Sequence, residues 1–454
     1  MRSGHAMNAT AISPVRNPLW MENRSKGFPL IDTARSRTVD ISHGYRGGSM
    51  VETRWARAAH RFHTWYGRTP ADEFWYPPRL RNREWMFIGW GPKPPDRHRG
   101  FDTRAGMVAH IRRAAPHSCF YSTAYYDDPA ARKMSDKGWN GADLIFDLDG
   151  DHLSEVDPFD FPSMLDTIQS QAHKLWYDFL HPEFGFEEQY LQLTFSGHRG
   201  FHLHYREPKF WQLDSSARRE LVSHIRGLGA DISVLRSGPD CGWRRRIENG
   251  IGVMLGQLDV AAQDDTDGRR MIKQLLSIVN ERGSTSGSRQ GKVGSRRMLT
   301  LATKVQHPER RGRILAGNTK GLKQHESLFL ELVKGDNSII LSSGGETDEA
   351  VTLDIKRVIR WPTGLHGKSG LQVTEFPLSR LDPNEEGRFD ALSEAVPRFD
   401  DRNNTLEVTV ERAVARVGDE ELELELGDQI EVGANMETFL TLKGWASPIS
   451  IQRS

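Results

Sequence analysis

Two aspartates at the end of a short apolar stretch, Asp143–Asp149 (DLIFDLD), have the spacing most suggestive of chemistry. Side chains two positions apart on a strand point to the same face, so Asp147 and Asp149 would share a face and Leu148 would lie on the other. Adjacent carboxylates repel each other unless a cation lies between them, and oxygen ligands suit Mg²⁺ or Mn²⁺. A pair of such ions can activate a hydroxyl and stabilise departing pyrophosphate. The same pattern also fits a solvated strand end.

A second group of polar residues surrounds the turn sequence Ser196–Gly200 (SGHRG). The alternating stretches on either side predict a β-hairpin with strands Tyr190–Phe195 and Phe201–Tyr205. His202 and His204 would then share one face of the second strand. They could form a transition-metal pair, contact phosphate together with Arg199, or be satisfied by backbone groups in a half-buried strand.

A third group lies in the segment Arg360–Leu371 (RWPTGLHGKSGL), where Arg360, His366 and Lys368 are interspersed with Gly and Pro. Small residues and cations together allow a close approach to a triphosphate. The segment is not a Walker A loop, because Pro362 stands where that motif needs glycine. Asp348 could add a third carboxylate upstream. A surface turn with an ion pair is the alternative.

The composition limits the class of protein. The chain has 454 residues, with 61 basic and 61 acidic side chains. No apolar run approaches the ~18 residues of a membrane span, and the N-terminus lacks the apolar core of a secretory signal. Two cysteines, Cys119 and Cys241, exclude a disulfide scaffold and a four-cysteine zinc cluster. These features predict a globular protein of the cytoplasm without membrane association.

Charge is unevenly distributed along the chain. Eleven basic residues and a single acid, Glu309, occupy Arg282–Lys323, whereas Glu411–Glu437 carries nine acids and two bases. A local basic surface can bind polyphosphate even on a neutral protein. For the Gly/Ser-rich part, Gly283–Ser295, a solvated, flexible loop is the preferred interpretation.

The hydrophobic periodicity predicts a mixed α/β (α+β) fold. Helices are expected at Ala105–Ala114, Ser163–Phe179 and Ser215–Ile225, and late strands at Leu406–Glu411 and Leu422–Leu426. We predict four regions. Residues 1–49 form a disordered extension, and 50–206 form the first part of a core. Residues 207–330 form a mostly helical insertion with a basic loop, and 331–454 form the second part of the core with a β-rich end.

Three segments in this order, FDLDGDH, SGHRGFHLHY and TDEAVTLDIKRVIRWPTGLHGKSGL, resemble the catalytic small subunit of archaeal and eukaryotic DNA primases. The upstream phrases RNREWMF, DRHRGF and FYSTAYYDDPAARKMSDKGWNGADLIFDLD, and the terminal FLTLKGWAS, are closest to the archaeal form. The resemblance runs from about Met50 to Ser454.

The resemblance assigns roles to individual residues. Its metal-binding aspartates match Asp147, Asp149 and Asp348, with Asp354 as the fallback for the third. Its nucleotide-binding positions match Ser196, His198, Arg199, His202, Arg360 and His366, whereas Lys368 has no assigned contact.

The resemblance also implies an activity and partners. We expect template-directed synthesis of short primers on single-stranded DNA during replication, by two-metal nucleotidyl transfer from ribo- or deoxynucleoside triphosphates. Relatives have a central sheet with a helical insertion, act at the nucleoid, and form a heterodimer with a large iron–sulfur subunit. The small zinc site found in many relatives is not expected here, because 150–195 contains no cysteine.

Three other functions fit some of these residues. A related polymerase domain could serve end joining or plasmid replication. A phosphohydrolase could use Asp147, Asp149, His202 and His204 as ligands. A non-catalytic nucleic-acid-binding subunit would have no need for the aspartates.

Overall fold

The computed structural model describes residues 50–150, 157–226, 240, 242–285, 293–335, 349–399 and 403–449. Apart from the first two residues of the first helix, these lie in one compact unit, Glu52–Ser454. The extension predicted at 1–49 and the carboxylate Asp348 lie outside the described residues. No helix in the described ranges is long and apolar enough to cross a membrane.

The described chain contains both helices and strands, which confirms the mixed α/β class. The helices are α1 (Met50–Arg68), α2 (Arg104–Ala114), α3 (Phe161–Lys174), α4 (Ser215–Ile225), α5 (Gly242–Ala261), α6 (Thr266–Thr285), α7 (Ser295–Val305), α8 (Pro308–Leu315), α9 (Glu326–Gly335), α10 (Glu349–Leu353), α11 (Ala391–Glu394) and α12 (Ala434–Lys443). The strands are β1 (Trp85–Ile88), β2 (Asp96–Arg99), β3 (Ser118–Ser122), β4 (Ala124–Tyr126), β5 (Trp139–Ala142), β6 (Leu144–Asp149), β7 (Leu191–Phe195), β8 (Gly200–Tyr205), β9 (Val358–Arg360), β10 (Thr374–Phe376), β11 (Asn404–Val408), β12 (Arg412–Val417), β13 (Glu420–Glu425), β14 (Gln429–Val432) and β15 (Ala446–Pro448).

Two four-stranded antiparallel sheets carry most of the motifs singled out in the sequence. One has the order β10-β7-β8-β6 and the other the order β2-β1-β3-β9. The predicted hairpin is confirmed as β7–β8. Between β8 and β9 the described residues form the helices α4 to α10. The boundaries of the predicted insertion, 207–330, stay a prediction.

Strand β6 separates two hydrophobic cores. Leu144, Phe146 and Leu148 pack in the larger core, which includes α3 residues such as Met164, whereas Ile145 packs in the smaller one. This alternation follows from the period-two geometry of a strand. It turns Asp147 and Asp149 away from α3. The predicted helix at Ser163–Phe179 is confirmed, with a π-helical continuation at Leu175–Leu180.

A buried ion-pair network anchors the start of β6. The Asp143 carboxylate and the Arg83 guanidinium are both fully buried and lie 2.8 Å apart. The carboxylate also accepts a 2.7 Å hydrogen bond from the Tyr125 hydroxyl and pairs with Arg206 at 3.3 Å. Arg218 donates to the backbone carbonyl of Asp143 at 3.0 Å. Two guanidinium groups therefore share one buried carboxylate, and a third binds the backbone of the same residue.

We predict that Asp143→Ala lowers the free energy of unfolding by about 3–5 kcal/mol, because it leaves buried guanidinium groups without their counterion. Urea denaturation measures the change. The matched control is Asp267→Ala, which removes the acid of an exposed ion pair with Arg270 and should cost no more than about 1 kcal/mol. Equal losses in the two variants would contradict the structural role of Asp143.

Candidate active site

One cavity gathers nearly all the residues predicted to act in chemistry. Its volume is about 200 Å³. It is lined by Asp147, Asp149, Ser196, His198, Arg199, His202, Arg360 and His366, and also by Phe120, Arg357, Val358, Ile359 and Lys368. Asp348 is outside the described residues. The fallback carboxylate, Asp354, is exposed and is not among the residues that line the cavity.

The register of β6 with β8 places the two aspartates. Asp147 lies opposite His202, and Asp149 lies opposite Gly200. The Asp147 Oδ1 atom is 3.3 Å from His202 Nε2, and its side chain is 18% exposed. At Gly200 an added Cβ would come within 2.4 Å of the Leu148 carbonyl oxygen, so glycine permits this close pairing. The carboxylates therefore reach the cavity while their strand stays buried.

The two histidines of β8 have different surroundings. His202 faces Asp147, and its Nδ1 is 3.5 Å from Thr194 Oγ1. His204 is fully buried, does not line the cavity, and contacts Thr194 and the Tyr121 hydroxyl at 3.5 Å. Burial lowers the pKa of His202 to about 3 and that of His204 well below its usual value. The reading of the two as a metal-binding pair therefore has no support from their placement.

The turn of the β7–β8 hairpin is held by Ser196. The Ser196 hydroxyl accepts hydrogen bonds from the backbone N–H groups of His198 (3.4 Å) and Gly200 (3.1 Å). Gly197 has φ = 83°, and a Cβ there would lie 2.8 Å from the Cβ of His366. Glycine thus allows the turn to pack against the segment 361–373, whose Ser369 hydroxyl donates to the Gly197 carbonyl.

The segment 361–373 folds back on itself and carries His366 at its tip. Across its base, the Thr363 N–H donates to the Val373 carbonyl at 2.7 Å and the Val373 N–H donates to the Gly364 carbonyl at 2.8 Å. Nearer the tip, the His366 N–H donates to the Leu371 carbonyl at 2.8 Å. Below we call it the 361–373 hairpin. The His366 ring stacks on His198 with centroids 4.9 Å apart and an interplanar angle of 17°. Two of the predicted motifs therefore meet ring to ring.

The cations of the cavity are arginines and lysines. Burial lowers the pKa of Arg360 to about 10, opposed by Asp147 and Asp149, so its guanidinium remains charged at neutral pH. Burial, followed by the charge of a neighbouring cation, lowers the pKa of both His198 and His366 well below the usual value. These imidazoles are therefore neutral before an anion enters. They can donate or accept hydrogen bonds, whereas charge neutralisation comes from arginine and lysine.

Sequence reasoning missed several residues at this site. Arg357 lies three residues before Arg360 in the same basic stretch, a spacing that could have identified it. Lys443 belongs to the quoted terminal phrase FLTLKGWAS and lies 3.3 Å from His198 Nε2, but it is 245 residues away in sequence. The His117 ring packs against Gly367, and a Cβ added to Gly367 would lie 2.0 Å from that ring. No local pattern indicated Lys443 or His117.

We predict that His117→Gln makes stability less sensitive to acid. Burial, aided by Arg360, lowers the pKa of His117 to about 4 from a usual 6.5. As the pH falls, the His117 imidazole is therefore protonated near pH 6.5 in the unfolded chain but only near pH 4 in the folded protein. The stability contributed by neutral His117 is complete above pH 6.5 and is lost as the pH falls toward 4. Between pH 7.5 and 5.5 wild type should lose about 1.4 kcal/mol more than the variant.

Urea unfolding of both proteins at the two pH values measures this difference. His63→Gln, at an exposed position of α1, is the control and should behave like wild type. Parallel losses in wild type and His117→Gln would contradict a depressed pKa.

Comparison with known proteins identifies the family of the chain. A sequence profile described as DNA primase small subunit matches residues 146–377, which contain both aspartates, the β7–β8 hairpin and the 361–373 hairpin. The DNA primase small subunit PriS of Methanothrix thermoacetophila is 33% identical over 383 residues, covering 78% of this chain and 90% of the relative. PriS of Methanosphaerula palustris is 34% identical over 82% of this chain and 92% of the relative.

A third relative gives the same result. PriS of Halorubrum lacusprofundi is 34% identical over 376 residues, which cover 79% of this chain and 89% of the relative. The matches extend well beyond the three motifs and span most of the length of each relative. The chain belongs to the DNA primase small subunit family.

Proposed function

We propose that this chain is the catalytic subunit of an archaeal-type DNA primase and synthesises short primers on single-stranded DNA from nucleoside triphosphates. The observation that carries the proposal is the placement of Asp147 and Asp149 in one cavity with Arg199, Arg360 and Lys368. Carboxylates beside several cations suit a reaction in which a polyphosphate is held and a hydroxyl attacks it.

The donor set fits hard divalent cations. Mg²⁺ is usually bound by one or two carboxylates together with water and substrate phosphates, and Asp147 and Asp149 provide such a pair at the cavity wall. We propose that Mg²⁺ or Mn²⁺ binds there, with Asp348 as a third ligand. When bound, the ions supply Lewis-acid activation of a hydroxyl and stabilise charge on the departing pyrophosphate.

The remaining residues bind and orient the nucleotide. The Arg360 guanidinium lies over the Phe120 ring, with its carbon 4.8 Å from the ring centroid. This contact gives the guanidinium a fixed orientation toward a phosphate. His202 Nε2 lies 3.3 Å from the Asp147 carboxylate and helps to orient it. His198 and His366, stacked on each other, present neutral imidazoles for hydrogen bonds to phosphate oxygens. Held in this way, the reacting groups lose little further entropy on reaching the transition state.

The template and the second subunit belong to the same proposal. Arg296, Arg297 and Arg313 are exposed on α7 and α8, and we propose that this basic face contacts the phosphates of the single strand. The family consists of proteins named as small subunits, and we propose a heterodimer with a large iron–sulfur subunit. The proposed substrates include both ribonucleoside and deoxyribonucleoside triphosphates.

A phosphohydrolase built on the same aspartates would need His204 as a further ligand. His204 is fully buried between Thr194 and Tyr121 and does not line the cavity. The geometry therefore favours nucleotidyl transfer, and the assays below separate the two by scoring chain growth rather than phosphate release.

We predict that Asp149→Asn lowers primer synthesis at least ~10³-fold, because it removes a negative ligand from the proposed metal site. The measurement is incorporation of labelled nucleotides on a single-stranded DNA template with Mg²⁺ or Mn²⁺, with and without the large subunit. Asp102→Asn, which neutralises an exposed carboxylate outside the cavity, should retain wild-type activity. Full activity in Asp149→Asn would refute the metal-site assignment.

We predict that Arg360→Lys raises the KM for nucleoside triphosphate about 10–100-fold, because lysine keeps the charge but loses the forked geometry that binds two phosphate oxygens. Steady-state elongation from a preformed primer measures KM and kcat separately. Arg132→Lys changes an exposed arginine that does not line the cavity and should leave KM unaltered. An unchanged KM in Arg360→Lys would place the phosphate elsewhere.

A further inference from the structure

A second and larger cavity lies beside the base of the 361–373 hairpin. Its volume is about 910 Å³, at the upper end of the roughly 300–1,000 Å³ typical of ligand sites. Thr363 and Gln372 form part of its wall, and the rest comes from α1 with the turn that follows it and from 396–399. No aspartate lines this cavity, so metal-assisted transfer belongs to the smaller cavity despite the difference in size.

The walls of the second cavity combine cations with aromatic rings. Arg68 and Arg398 are exposed, and neither forms an ion pair or hydrogen bond with another described residue. Arg61 already pairs with Glu437 and is not available in the same way. Trp65 and Phe399 are partly buried, which leaves part of each ring accessible. Glu73 is the acidic residue among those lining the cavity.

Both rings are held by neighbours within the protein. The Trp65 ring packs edge-on against Tyr66 at 5.1 Å, and the Phe399 ring stacks on Phe62 at 6.4 Å. A ring that is fixed in this way loses little freedom when a flat ligand stacks on it. An aromatic platform next to unpaired guanidinium groups is the combination that binds a base and its phosphate.

We propose that this second cavity binds a nucleotide, with its base against Trp65 or Phe399 and its phosphate held by Arg68 and Arg398. The chemistry is the same whether the nucleotide is a free nucleoside triphosphate or part of a single strand. The proposal rests on the residues of this cavity and does not depend on the reaction carried out at the aspartates.

Thr363 gives the proposal an independent support. Its φ is 74°, a left-handed conformation that is strained for a β-branched residue and is typical of ligand clamps. The conformation is maintained by the Trp75 N–H, which donates to Thr363 Oγ1 at 2.8 Å, and by Thr363 N–H, which donates to the Val373 carbonyl at 2.7 Å. The strained residue lines the second cavity three positions before His366. One hairpin therefore contributes its base to this cavity and its tip to the other.

Photocrosslinking of the full chain in EDTA tests the proposal without the metal ions of the aspartate site. The probes are 8-azido-ATP and a single-stranded oligonucleotide with photoreactive bases, each mapped by peptide mass spectrometry. We expect label in the peptides that contain Trp65 or Phe399, reduced at least 10-fold in the double variant Arg68→Glu/Arg398→Glu. The control Lys93→Glu/Arg132→Glu changes the net charge equally at exposed positions away from the cavity and should label like wild type.

Label from 8-azido-ATP that ATP competes away supports the proposal with a free nucleotide as ligand. Label from the oligonucleotide that unlabelled strand competes away supports it with the strand as ligand. Absence of label from both peptides with both probes, or equal labelling in the two double variants, overturns it. Asp149→Asn should keep this label whatever its effect on primer synthesis, so failure here and failure of the proposed function are separate results.

Discussion

The pairing of β6 with β8 is the constraint on which the active site depends. It places Asp147 opposite His202 and leaves Leu144, Phe146 and Leu148 in the core against α3. A slip of one residue would turn the aspartates into that core and the leucines toward the cavity. Burial of one face of β6 therefore fixes the position of the carboxylates on the other. The close approach at Gly200 reinforces this register, because no larger residue fits beside the Leu148 carbonyl.

Polar residues continue behind the site as a connected chain within the protein. Contacts of 3.0–3.5 Å run from Asp147 through His202, Thr194, His204 and Tyr121 to Arg206. Arg206 in turn pairs with Asp143 at the opposite end of β6. Buried polar groups are costly unless each has a partner, and a fully connected set holds its members in one arrangement. The strand that presents the carboxylates is thus fixed by ion pairs at its start and by the His202 contact at Asp147.

Local patterns predicted the parts of this site that a single strand or turn determines. The period of two put Asp147 and Asp149 on one face, and the SGHRG turn between alternating stretches predicted the β7–β8 hairpin. Local patterns could not predict contacts between residues that are distant in sequence. The contact between Lys443 and His198 spans 245 residues, and the stacking of His366 on His198 joins segments separated by the whole helical region. The resemblance to primases named His198 and His366 but gave no indication that they touch.

Charges also depend on packing that a sequence does not reveal. His198 and His366 are buried beside cations, and both have lowered pKa values. Burial is the main reason that these imidazoles are neutral, and the neighbouring cations, which add to the effect, also create a positive potential that attracts anions. A bound anion would oppose this lowering of the pKa, because a nearby negative charge favours the protonated form of each imidazole. Binding of phosphate and uptake of protons are therefore linked at this site, since each favours the other.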